Sequence, residues 1–311
     1  MPTPREVLTP DALALLQAVA QTGSFAAAAR ELGVVPSAVT YRVRQIEDAL
    51  DALLFDRTSR QARLTEAGAE LLREGGRLLL EIDAVANRVK RVATGWESQL
   101  TIAVDTVISW STMMELAQDF FAVAPATRLR LRDESLSGTL EALTSGQADL
   151  ALGLALEPGT SAGIRSSVLG EVAFVYAVAP HHPLAAVAGV LKDDLLQMHR
   201  AIAVADSVQR GTALTRGLLA GQDVLTVPTM RAKLDAQLRG LGGGFVPEPM
   251  VRPYVQSGRL VVKEVQRSSR LVRLSYAWRS SDSEGRALQW WLGRLESPAT
   301  RRALLEQHVR A

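Results

Sequence analysis

The sequence predicts a multidomain α+β chain, and three observations predict it. Short-helix signals flank a tight turn between Ser24 and Leu50. An apolar repeat of 3.5-residue spacing runs from Leu71 to Val92. From Leu100 onward, short apolar strands alternate with helices. At 311 residues the chain exceeds one ordinary domain, and 47% hydrophobic residues can fill several cores.

The first helix starts at Thr9-Pro10-Asp11, which offers a capping hydroxyl, a proline at the first turn and a carboxylate near the positive end of the dipole. Leu13, Leu16 and Ala20 give it an apolar stripe, and Thr22-Gly23-Ser24 ends it. Ser24 caps a second helix whose Ala27-Ala28 pair permits close packing. Gly33 stops that helix, since a turn this sharp needs positive φ. Pro36 opens the third helix, with Val39, Val43, Ile46 and Leu50 on its inner face.

That order of signals is a helix-turn-helix, which places its last helix in the DNA major groove. Ser37, Thr40, Tyr41 and Arg44 fall on or near the outer face. Arg44 can donate bidentately to guanine, hydroxyls can meet several base edges, and an aromatic can touch a thymine methyl. Arg42 lies to the side and suits a phosphate. Alone, this helix reads more readily as an ordinary amphipathic helix with a solvated polar face. The turn, the hairpin that follows and its arginines decide for DNA.

After Leu50, Leu53-Leu54-Phe55 reads as a short buried strand, TSRQA as a turn and Arg63-Leu64 as the return, forming a wing. Arg57, Arg60 and Arg63 make this hairpin basic, opposed only by Asp56. Bulk charge contributes little: the chain carries +2 overall, and residues 1–94 hold equal numbers of basic and acidic side chains. Attraction to phosphate therefore depends on where the arginines stand.

The whole pattern resembles the LysR-type transcriptional regulators. The matching segments are Ile46-Glu47, Leu54-Phe55-Asp56-Arg57 and Leu64-Thr65-Glu66-Ala67-Gly68. Two departures are Asp51, where the family usually has glycine, and Val35-Pro36-Ser37, which lacks the usual capping serine. Aspartate tolerates the left-handed conformation better than most residues.

Leu71, Gly75, Leu78, Ile82, Val85, Val89 and Val92 are spaced alternately by four and three residues, the pattern of a coiled-coil seam. A dimer through Leu71, Leu78, Ile82, Val85, Val89 and Val92 is expected, with Gly75-Gly76 as a weak point or bend. The resemblance implies the same pairing, with two winged modules on double-stranded DNA at an interrupted inverted repeat. It also implies a homodimer or homotetramer, with RNA polymerase as a further partner.

The remaining segments, among them LTIAV, TRLRLRD, ADLALGL, FVYAVAP, RAIAVA and RLSYAW, predict an α/β region with mainly parallel sheets. It resembles the family's effector-binding domain, two lobes similar to periplasmic solute-binding proteins. The expected division is residues 1–65 for the winged helix-turn-helix, 66–95 for the long coiled-coil linker helix and 96–311 for the two-lobed α/β effector domain. Within the last, lobe I covers about 100–174 and 277–311 and lobe II about 175–276. In open α/β sheets ligands bind beyond the carboxyl ends of strands. That rule and the resemblance select Asp105-Thr106, Glu134-Ser135, Asp206-Ser207 and Gly244-Phe245 as effector-binding positions. With three acids nearby, a neutral, hydroxylated or aromatic effector is expected over a dianion, although Arg210 could complement an anion.

Other functions find little support. With no cysteine there is neither a disulfide nor a thiolate zinc site, and the four histidines lack ligand spacing. No GxSxG elbow, Walker loop or Rossmann glycine triplet follows a strand, so an enzyme is not expected. Neither a cofactor nor a metal is expected, only a small-molecule effector. No apolar run approaches the roughly 18 residues that span a bilayer. The start lacks an export pattern, so a cytoplasmic protein is expected rather than an exported solute receptor.

Overall fold

Local capping sets the first helices of the computed structural model, which describes residues 3–56, 62–124, 126–155, 163–208, 217–266, 270–280 and 284–308. After α1 (Pro4–Val7), Thr9 Oγ1 accepts the Ala12 N–H at 3.2 Å to start α2 (Pro10–Thr22), and Gly23 ends it at φ 63°. Ser24 Oγ accepts the Ala27 N–H and opens α3 (Phe25–Glu31). Gly33 turns the chain at φ 66° into α4 (Pro36–Leu50). Asp51 closes α4 in the left-handed conformation at φ 50°, as the sequence requires.

The wing is a minimal antiparallel pair, β1 (Phe55–Asp56) and β2 (Arg63–Leu64), followed by the 29-residue α5 (Glu66–Thr94). Leu54 and Phe55 are buried as expected, but Leu53 is exposed, so the buried strand begins one residue later. The alanines that let α3 pack closely are Ala28 and Ala29, both fully buried. They share a core with Leu16, Val19, Val39, Val43, Ile46 and Phe55. Phe25 meets Phe55 edge-on at 5.4 Å. Each such side chain contributes about 1.5–3 kcal/mol when taken from water.

Backbone contacts divide the chain into two units, Met1–Val89 and Lys90–Ala311. The second is built on β3 (Gln99–Asp105), α6 (Trp110–Val123), β4 (Arg128–Glu134), α7 (Ser137–Thr144), β5 (Leu150–Leu154) and the 15-residue β6 (Ile164–Val178). There follow α8 (Asp193–Gln197), β7 (Ala201–Val204), β8 (Val224–Val227), α9 (Met230–Leu238), β9 (Gly244–Pro247), α10 (Glu248–Gln256), β10 (Val261–Lys263), β11 (Arg270–Arg279), α11 (Arg286–Glu296) and α12 (Pro298–Glu306).

Seven strands form one mixed sheet in the order β10-β6-β11-β5-β3-β4, with β9 also on β6, while β7 and β8 form a separate parallel pair. Among the described strands, parallel ladders join β3 to β4 and β5, and β7 to β8, with isolated parallel bridges at Leu191–Val265 and Ala201–Gly243. The expectation of mainly parallel sheets is corrected here: β6 leaves the first lobe and β11 returns to it, so the two run antiparallel. Strand β6 pairs with β11 from Ile164 to Phe174, then with β9 and β10 towards Val178. The first lobe thus carries β3, β4 and β5, the second carries β7 to β10, and β6 and β11 join them.

The largest core contains Phe120, Ile102, Leu152, Val246 and Trp291. Helix α12, which the strand–helix reading did not anticipate, is fastened where the Ser109 N–H donates to the Leu304 carbonyl at 2.8 Å. Among the described residues, no helix is long and apolar enough to cross a membrane.

Candidate nucleic-acid interface and ligand cleft

Helix α4 presents two faces. Val39, Val43 and Ile46 are buried in the module core, while Ser37, Tyr41, Arg42 and Arg44 are exposed. Thr40 is half-buried, and its hydroxyl donates to the Pro36 carbonyl at 3.1 Å. It therefore offers lone pairs outward rather than a proton. Gln45, passed over in the sequence, donates from Nε2 to the Tyr41 hydroxyl at 3.0 Å and orients the ring. The i,i+4 spacing of the two residues was the available signal. Arg63 is exposed on β2, whereas Arg57 and Arg60 lie outside the described residues.

The module is held rigid by two buried devices. The Glu47 carboxylate, 4% exposed, accepts the Leu54 N–H at 2.9 Å and the Phe55 N–H at 3.4 Å, tying the end of α4 to the wing. Thr65 donates from Oγ1 to the Leu53 carbonyl at 2.6 Å and accepts the Gly68 N–H at 3.0 Å. A Cβ at Gly68 would lie 2.1 Å from the Leu54 carbonyl oxygen, so only glycine lets α5 start this close to the wing. The Ile46-Glu47 and Leu64–Gly68 motifs thus have a mechanical reason.

The apolar repeat on α5 divides. Leu71 is half-buried against the module core, and a Cβ at Gly75 would lie 2.7 Å from Leu13 Cδ2. These two positions, assigned to the seam by spacing alone, serve the chain's own core, and Gly75 makes a close contact with α2. Leu78, Ile82, Val85, Val89 and Val92 are all exposed, from 46% to 86%.

In the second unit, a cleft opens beyond the carboxyl end of β3. Asp105, Thr106, Ser135 and Phe245 line it, as the sequence placed them. Gly244 lines an adjoining recess instead. The lining that sequence reading missed is chiefly apolar: Val107, Leu136, Phe174, Val204, Met230, Val272 and Leu274. A register shift at Ser275 interrupts β11 just past Leu274, a common device beside a site. Leu136 holds the unusual φ of 55° at the N-cap of α7. Such strain costs of order 1–3 kcal/mol and is retained only where the surroundings fix it.

The three acids expected to colour this cleft are already engaged. Asp105 accepts the Val107 N–H at 3.0 Å, the Leu136 N–H at 3.1 Å and the Thr139 hydroxyl at 3.3 Å. Burial pushes its carboxyl up to about 7, opposed by those three donors. Glu134 is bound by Arg132 at 2.8 Å and receives the Ser207 hydroxyl at 2.7 Å. Asp206 caps α7 from the second lobe, accepting the Gly138 N–H at 3.2 Å and the Ser137 hydroxyl. The three acids behind the expectation of a neutral effector are thus bound by the protein's own donors. Arg210 lies outside the described residues.

Lys233 is the charged group that the sequence reading left out. It shares the i, i+3, i+4, i+7 face of α9 with Met230, Leu234 and Gln237, all buried, and that spacing could have flagged it. Lys233 is 6% exposed and lines both the cleft and the recess. Burial lowers its ammonium to about 8.

An exposed recognition helix on a winged module, followed by a two-lobed domain with an apolar cleft, defines a ligand-responsive DNA-binding protein. Comparison with known families agrees. Residues 10–69 match the bacterial regulatory helix-turn-helix protein, lysR family, and residues 93–298 match the LysR substrate binding domain. The chain belongs to the LysR family of transcriptional regulators. It is 38% identical over 286 residues to the probable HTH-type transcriptional regulator YhaJ of Escherichia coli strain K12, covering 92% of this chain and 95% of that one. It is 34% identical over 281 residues to the uncharacterized HTH-type regulator YeeY of the same strain, covering 90% and 91%. Its fold is similar to that of CbnR, a LysR family transcriptional regulator, with a TM-score of 0.59 at 18% identity over 93% and 98% of the chains. Full-length LysG from Corynebacterium glutamicum gives 0.52 at 24% identity over 96% and 99%. This chain is accordingly a DNA-binding transcriptional regulator with an effector-binding domain.

Proposed function

We propose that the chain works in the cytoplasm as a homodimer, or a pair of homodimers, whose two winged modules read an interrupted inverted repeat. A small molecule between the lobes selects one lobe arrangement. The single observation that carries this reading is the exposed stripe Leu78–Val92, which continues directly from a module whose reading helix is also exposed. An apolar stripe of 3.5-residue period needs a partner helix.

Ser37, Thr40, Tyr41 and Arg44 read bases in this scheme, and Arg42, Arg57, Arg60 and Arg63 hold phosphates. The two-fold pairing sets the half-site spacing. Two solved relatives illustrate the halves of the scheme: CbnR has been solved with its target DNA, and LysG with bound Arg. The effector acts by its differing affinity for the two lobe arrangements, a population shift. RNA polymerase is a partner of the DNA-bound form. The chain needs no cofactor and carries out no chemical turnover.

Footprinting of the purified protein on genomic DNA tests the reading. Paired protections about one helical turn or a multiple apart, altered by at least one metabolite, are expected. A single protected half-site that no metabolite changes would reject it.

A further inference from the structure

Three backbone donors at the start of α7 already have acceptors within the protein. At the start of α7 the Leu136 N–H is bound by Asp105 and the Gly138 N–H by Asp206, while the Ser135 N–H donates to Ser207 Oγ at 2.9 Å. Lys233 stands apart from all of these. No hydrogen bond or ion pair joins its ammonium to any described residue, and burial alone governs its titration. The group is held near Gly244, where a Cβ would lie 3.0 Å from Nζ. In the recess that shares Lys233 and Phe245 with the cleft, the Tyr176 hydroxyl is also buried and without a hydrogen-bond partner among the described residues, and its ring packs edge-on against Phe245 at 5.5 Å. A buried cation without a counter-ion is an expensive arrangement unless something supplies the anion.

We propose that Lys233 is the counter-ion for a carboxylate on the effector, whose remaining body is apolar and packs between the lobes. This deepens the effector-controlled reading above and rests on it. One lone cation suits a single negative charge better than a phosphate dianion. Phe174, Val204, Met230, Val272 and Leu274 accept an aryl or alkyl body rather than a polyol. The anion-binding group is thus on α9 of the second lobe, and at the helix N-terminus of the first lobe the protein's own Asp206 already takes the Gly138 N–H.

The test uses the full-length protein and matched pairs of probes: aryl- and alkyl-carboxylates, their uncharged primary amides, and the corresponding phosphate monoesters. Binding is followed by calorimetry and by hydrogen exchange in wild type, Lys233→Met and Lys233→Gln. At least one carboxylate is expected to bind wild type ten-fold or more tightly than its amide. It should protect residues 105–107 and 230–233, and both variants should lose the preference while still binding DNA. Equal binding of acid and amide, persistence of the preference in both variants, stronger binding of the phosphate monoester, or no binding by any probe would each overturn the proposal. If amides bind with protection at 105–107 and 230–233, the cleft reading stands and only the role of Lys233 falls. If ligands bind with protection elsewhere, the cleft reading falls first.

Discussion

The Ser207 hydroxyl donates to Glu134 Oε2 at 2.7 Å while its oxygen accepts the Ser135 N–H at 2.9 Å, so one side chain of the second lobe is bonded twice to the first. With Asp206 on the start of α7, these bonds form a latch across the two lobes. Ser207→Ala removes both Ser207 bonds. Loss of about 1–3 kcal/mol of closure is expected, at 0.5–1.5 kcal/mol per hydrogen bond. Faster hydrogen exchange of residues 135–145, with the winged module unchanged, is the readout. Unchanged exchange there would mean that packing alone holds the lobes.

Glu47 predicts a different failure. Glu47→Ala leaves the Leu54 and Phe55 N–H groups buried without an acceptor, at about 1–3 kcal/mol per group. Calorimetry should show earlier melting of the N-terminal module. DNA affinity should fall alike for all sequences, because the reading side chains remain.

Arg44→Ala is expected to relax preference at one base pair by about 1–3 kcal/mol, whereas Arg42→Ala weakens all sites and lowers the salt slope by about 1. Selection from a randomised operator library separates the two. If the preferred site is unchanged in Arg44→Ala, a different face of α4 enters the groove.

Ile82→Asp with Val89→Asp places two charges on the exposed stripe. Sedimentation should show the mass fall to that of a monomer, with operator affinity lost and the effector domain still folded. An unchanged mass would place dimerisation elsewhere.

Lys233 gives a pH dependence with a definite sign. Its pKa falls from 10.5 to about 8 on burial. Between those values the unfolded chain holds more protons, so stability rises with pH from about 8 to 10.5, and the penalty is fully present below 8. Lys233→Met should therefore raise stability at pH 7 by roughly 1–3 kcal/mol and flatten that rise. Parallel curves for wild type and variant, followed by chemical denaturation from pH 7 to 10, would mean that water reaches the ammonium.

Much of the winged module was legible because its signals are local. A cap, a positive φ at Gly33 and an apolar face from Val39 to Ile46 act within a few residues of chain. The division of the α5 repeat was not legible. Spacing places Leu71 and Gly75 on the same stripe as Val89, and only the approach of Leu13 from α2 separates them. The cleft was half legible: the strand-end rule found Asp105 and Ser135 but could not see that Asp206 would satisfy α7 from the other lobe. Lys233 went unnoticed because a single lysine in a helix is ordinarily solvated, and its burial is decided by β9 and the cleft wall rather than by its own segment.

The contact of Gly75 with Leu13 has a consequence for how DNA is read. It fixes the winged module to the short end of a lever whose arm, from Gly75 to Val89, is about 21 Å long at 1.5 Å per residue. Over an arm of about 21 Å, a tilt of about 10° moves the far end by about 4 Å. That is close to the roughly 3.4 Å rise of one base pair. A slight change in how two such arms cross would therefore register the modules one base pair nearer or farther along the duplex.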